Sequence, residues 1–221
     1  MKNIVSTTLI LFLFSAAFAQ DKSQFQNIMS GTLQKMSQAK SADAYNAAAN
    51  QFARIAAKEK NEWTPQYYST FIKTFRAFEA KDKATAASEL AVLTPAVENL
   101  LTLESVSKDK MAQSEIHTLL AMMYSARMME NPMALGAKFT PLNAEHLAKA
   151  MTLNEKNPRP YILKAQTLFF TPEAFGGDKA KAKKLSKRAL ELFGEEDKTE
   201  NNNFLPRWGK EQAENLLKQM K

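Results

Sequence analysis

The stretch Asn157–Phe193, NPRPYILKAQTLFFTPEAFGGDKAKAKKLSKRALELF, decides the fold. It reads as two helices joined by Thr171-Pro172 and Gly176-Gly177, the second carrying Ala182, Leu185, Ala189, Leu190 and Phe193 at helical spacing. A single helix pair cannot bury its own apolar face, so the stretch implies neighbours built on the same plan.

Working outward, those neighbours are present. Phe25, Ile28, Met29, Leu33 and Met36 form an i, i+3, i+4 stripe over residues 22–38, and Ser41 caps a second helix whose face is Tyr45, Ala48, Ala49, Phe52, Ile55 and Ala56. Thr64-Pro65 predicts the start of a third helix, with Thr as cap and Pro at the first helical position, and Tyr68, Phe71, Ile72, Phe75 and Phe78 as its buried face. The same dipeptide recurs at Thr94-Pro95, within a stripe that predicts one kinked helix or two short ones from about 83 to 104. A long helix over 109–130 follows, then a loop from Asn131 to Thr140 and a helix near 142–153. After the opening pair, Gly194 is placed to end its helix, and Leu205–Met220 forms a terminal helix that caps the array.

Composition agrees with an all-α fold. Only 6 Gly occur in 221 residues, and β-branched alternation is nearly absent. Lys2, the apolar run Ile4–Ala16 and Ala17-Phe18-Ala19 read as a signal peptide cleaved between Ala19 and Gln20, which places the protein in the periplasm or outside the cell. Residues 20–221 then form a single helical-repeat domain with no stable membrane anchor. The chain has no cysteine, which excludes disulfides, thiolate metal sites and a cysteine nucleophile. Its formal net charge is +7.

The segment Leu119-Leu120-Ala121-x-x-Tyr124 resembles the first helix of a tetratricopeptide repeat, and Leu147-x-x-Ala150-x-x-Leu153 closing in Asn157-Pro158 resembles the second. Ala165, Ala182 and Ala189 look like a further, degenerate copy. The clearest repeats span 112–193; the consensus Trp and Gly of the first helix are missing, and residues 22–104 match by helix pattern alone. The resemblance implies antiparallel helix pairs stacked as an α–α superhelix. The signal peptide together with Trp63-Thr64-Pro65-Gln66-Tyr67-Tyr68, Asn157-Pro158-Arg159, Pro172-x-x-Phe175-Gly176-Gly177 and Pro206-x-Trp208-Gly209 also resembles uncharacterised exported repeat proteins of the Bacteroidetes type, which offer no catalytic residues to carry over.

In such an array the first helix of each pair lines an inner groove. The alignment puts Glu115, Thr118, Met122, Ser125, Arg159, Gln166 and Phe169 there, with Lys73 and Arg76 further along. The expected function is therefore non-catalytic: an exported protein holding a protein or peptide partner in that groove, without cofactor, metal or nucleic acid. The alternative is a small-ligand binder of the cell envelope, taking a sugar, lipid or organic acid, suggested by the 14 Phe and the cluster Phe169, Phe170, Phe175.

Other signals have simpler readings. Met122, Met123, Met128, Met129 and Met133 could hold Cu(I), yet they fall at core spacing, and the two histidines, His117 and His146, lie 29 residues apart in sequence. The run Lys179, Lys181, Lys183, Lys184, Lys187, Arg188 reads as a solvated helix face opposite Ala182 and Ala189. In Phe175-Gly176-Gly177-Asp178 the glycines serve a tight turn, Asp178 caps the helix and Phe175 is expected to tuck into the pair interface. Trp63 and Trp208 are read as hydrophobic staples at helix entries. No acid, base or nucleophile pattern points to catalysis; carboxylates brought together from distant helices are the one enzymatic arrangement that would leave no local trace.

Overall fold

The computed structural model describes residues 23–200 and 204–220; the signal-peptide reading falls outside them. Ten α-helices follow in order: α1 (23–37), α2 (Ala42–Lys58), α3 (Trp63–Glu79), α4 (Lys83–Leu100), α5 (Glu104–Ser107), α6 (Lys110–Met128), α7 (Pro132–Leu153), α8 (Pro158–Phe170), α9 (Lys179–Glu196) and α10 (Lys210–Gln219). A 3-10 turn, Glu173–Phe175, joins α8 to α9, and no strand occurs among the described residues. The fold is all-α, packed in contacting pairs.

Local chemistry starts most of these helices. Side-chain oxygens of Ser41, Asp82, Asp109, Asn131, Asn157 and Asp178 accept backbone N–H groups in the first turns of α2, α4, α6, α7, α8 and α9. The Thr-Pro dipeptides behave otherwise. α3 begins one residue earlier, at Trp63, with no side-chain cap, and Thr64 is buried inside it. Pro95 and Pro141 lie within α4 and α7. The expected loop from Asn131 to Thr140 is therefore helix, because Asn131-Pro132 supplies the cap and first-turn proline that Thr140-Pro141 was expected to supply. The hydroxyl of Thr94, next to Pro95, donates back to the Leu90 carbonyl at 2.7 Å. Gly194 does not end α9, which runs on to Glu196. The last helix starts only at Lys210, after an extended run with positive φ at Phe204 and Gly209.

Apolar side chains gather in two clusters. The larger spans α1–α7 around Phe52, Tyr67, Leu90, Val97, Ile116, Leu119, Leu120 and Met123. The smaller joins α8–α10 through Ile162, Ala165, Ala182, Ala189, Phe193, Ala213 and Leu216. Residues 204–208, which lead into α10, pack on the larger cluster: Phe204 meets Phe25 edge-on, the Leu205 carbonyl accepts from Tyr68, and Trp208 stacks on Phe71 at 5.0 Å. No described helix is long and apolar enough to cross a membrane.

Candidate functional site

A groove of about 430 Å3 lies between α2, α3 and α4. Both outer helices pack on α3, and the residues between them are small. Ala49, Ala77, Ala80 and Ala86 floor the groove, while Asn46, Asn50, Lys73, Arg76, Asp82, Thr85 and Glu89 supply its polar rim. Lys83 fixes one corner by donating to the Ala77 and Phe78 carbonyls at 3.2 and 2.7 Å, which ties α4 to the end of α3. Asp82 caps α4 through the Thr85 N–H, and this bond, with one from the Thr85 hydroxyl, holds its carboxyl below the usual range. Arg76 pairs with Glu79, leaving Lys73 as the rim cation without an ion-pair partner within 4 Å among the described residues. A second, shallower hollow of about 160 Å3 lies between α1 and α2.

The residues expected to line a groove are elsewhere. Glu115, Thr118, Met122 and Arg159 are buried; Ser125, Gln166 and Phe169 are half-buried. Arg159, 1% exposed, sits between the two apolar clusters. It donates to Glu196 at 2.7 and 2.9 Å, approaches Glu115 at 3.5 Å, and also bonds the Pro206 carbonyl. Tyr67 donates to Glu115 at 3.3 Å and accepts from the Trp208 indole at 2.9 Å. Burial raises the Glu115 carboxyl to about 7; Arg159 opposes that rise, and Glu196 adds to it. This network joins α3, α6, α8, α9 and the 204–208 segment. Its helical spacing was right for an inward face; that face meets protein instead of solvent.

Two further expectations are revised. Phe175 does not tuck into the pair interface: it is 79% exposed, and Phe170 is 66% exposed. The turn beneath them is fixed by glycine. Gly176 has φ of 92°, and a side chain on Gly177 would collide with the Thr171 carbonyl. Of the methionines, Met122 and Met123 are buried as packing predicts, while Met133 is 93% exposed. Trp63 is buried against Tyr67, and Trp208 is bonded to it. The basic residues of α9 are all exposed.

The meeting of the two histidines was not foreseen from their separation in sequence. His117 of α6 and His146 of α7 meet with Nδ1 atoms 2.8 Å apart. Ser114 bonds the Ala150 carbonyl and Asn143 the Ala121 carbonyl, so facing positions of this antiparallel pair have numbers summing to a nearly constant value, which 117 and 146 also satisfy; that register is visible only once α6 and α7 are paired.

No family model and no curated protein matches the chain. Among solved structures, the HusA haemophore from Porphyromonas gingivalis is 30% identical, with a TM-score of 0.70 over 90% of this chain and 92% of that one. The chain belongs to that haemophore's family. The tetratricopeptide resemblance is thereby left at the level of helix pairing. The expected protein or peptide partner is overturned as well, since this relative is by name a haem carrier, a binder of a small ligand. Of the two readings the sequence offers, the small-ligand alternative is the one the family supports. The relative is a binding protein, not an enzyme.

Proposed function

We propose that this protein is an exported small-ligand carrier whose ligand is haem or a related carboxylated tetrapyrrole, seated in the α2–α4 groove. The observation that carries the reading is the 30% identity to a haemophore along 90% of the chain. The groove's chemistry supports the location. A floor of alanines lets a flat macrocycle lie close to the backbone, and Lys73 and Arg76 stand where its carboxylates would reach. The net charge of +7 favours an anionic ligand at longer range. The apolar run Ile4–Ala16 with Ala17-Phe18-Ala19 supports export, and residues 20–221 would form the carrier as one domain. The paired helices then serve as a frame, not as a peptide groove.

The lining holds no imidazole, thioether or phenol, so ring burial and carboxylate pairing, not iron ligation, would hold the ligand. Titration with hemin, followed by Soret absorbance, and with iron-free protoporphyrin IX, followed by fluorescence, should give comparable affinities. The double variant Lys73→Glu/Arg76→Glu should weaken both by about tenfold or more, equivalent to about 1.4 kcal/mol. Unchanged affinity in that variant would remove the groove assignment, and failure of the parent protein to bind either compound would remove the carrier reading itself.

A further inference from the structure

The chain's two histidines come together although nothing in the groove requires them. Both are half-buried, with ring centroids 5.0 Å apart and planes at 41°. Among the described residues neither is within 4 Å of a carboxylate as an ion pair. Glu145, adjacent to His146, is bound to Lys149 at 2.6 Å, and Glu98 accepts from Tyr124, whose ring lies 5.5 Å from that of His146. The register is clamped on both sides. Ser114 bonds the Ala150 carbonyl and Asn143 bonds the Ala121 carbonyl, each at 2.8 Å, so the imidazoles are held by rigid helices.

Two nitrogens ligating one ion at about 2.1 Å stand about 3.4 Å apart in a tetrahedron and about 3 Å apart at the right angles of octahedral or square-planar sites. The 2.8 Å spacing of the Nδ1 atoms is close to that. We propose that His117 and His146 form a two-imidazole chelate for a borderline divalent ion such as Zn2+, Ni2+ or Cu2+, separate from the ligand groove. In the metal-free pair one Nδ1 carries a proton and the other accepts it. Binding requires both lone pairs at Nδ1, so that proton moves through solvent to Nε2 of the same ring, with no net release. Among the described residues no three His, Cys, Asp or Glu side chains converge, so the remaining positions on the ion belong to water or an incoming ligand.

The test uses the untagged chain, with calorimetric titration by Zn2+ and Ni2+ and the nitrogen hyperfine pattern of added Cu2+ in electron paramagnetic resonance. One equivalent should bind, Cu2+ should show two imidazole nitrogens, and Mg2+ should not compete. His117→Asn and His146→Asn should each weaken Zn2+ binding by about tenfold or more while keeping the metal-free melting temperature near that of the parent. Absence of Zn2+ binding by the parent at about 1 mM, or unchanged binding in the double variant, would overturn the proposal. Hemin titration of the same variants separates the two sites. Unchanged hemin affinity supports a distinct ion site, and parallel loss of hemin and Zn2+ would overturn its independence.

Discussion

Arg76 and Arg159 both follow helical spacing, both are cations near acidic partners, and their surroundings are opposite. Arg76 sits on the rim of a groove in the α2–α4 region, its side chain 31% exposed, paired with Glu79 on its own helix. Arg159 is 1% exposed in the α6–α9 region, answering carboxylates of two other helices. The region whose sequence is most regular is the one that is closed. Regular spacing of large and small residues produces close packing, and close packing fills space. The less regular region, floored by alanines between helices that both lean on α3, leaves the concavity.

The largest expected effect separates these two arginines by stability. Arg159→Ala should cost about 3–5 kcal/mol, because Glu115 and Glu196 lose their shared cation inside the protein. Arg76→Ala should stay within about 0.5 kcal/mol, as an exposed i,i+3 pair is worth little. Urea unfolding of both variants measures the difference directly. Similar losses in the two would erase the contrast between a buried network and a solvated rim.

A smaller effect should appear in the pH dependence of the buried network. The Glu115 carboxyl lies at about 7 in the folded protein, above its ordinary value of 4.5, so the folded state holds its proton more tightly than the unfolded state. Its contribution is full below about 4.5 and is lost as pH rises through about 7. Glu115→Gln mimics the protonated form and should flatten that decline: its stability relative to the parent improves between pH 5 and pH 8. The histidines slope the other way. Both are lowered from 6.5, His117 to about 4, so stability is lost as pH falls below 6.5 and the two groups can be told apart in one pH series.

Local signals in the sequence were read well where the physics is local. Ser41 and Asp178 start helices because a side-chain oxygen within three residues meets an unpaired N–H. The stripes of Phe52, Ile72, Leu119 and Ala189 are buried because periodicity reports a face directly. Thr140-Pro141 misled because a better start, Asn131-Pro132, lies nine residues upstream, and a helix tolerates the later proline when tertiary packing holds it. Arg159 misled for a different reason. A helical face shows which residues point inward but not that Glu115 and Glu196, from other helices, will meet the cation there. The groove was least legible, since it depends on the separation of α2 and α4 across α3, which no single helix encodes.

The smallest expected effect tests the α8–α9 turn. Phe175 was expected to fill an interface, where its loss would cost about 3–5 kcal/mol. At 79% exposure it has almost nothing to lose, and Phe175→Ser should change stability by no more than about 0.5 kcal/mol. Gly176 and Gly177, not the ring, determine the turn, through a positive φ and a close approach to the Thr171 carbonyl. Two exposed phenylalanines, Phe170 and Phe175, therefore flank a turn that does not need them for folding. Hemin titration of Phe175→Ser carries the comparison into function. Unchanged affinity keeps ligand binding in the alanine-floored groove. A loss without any change in stability would move it to the aromatic end of α8, where a flat macrocycle could stack on exposed rings.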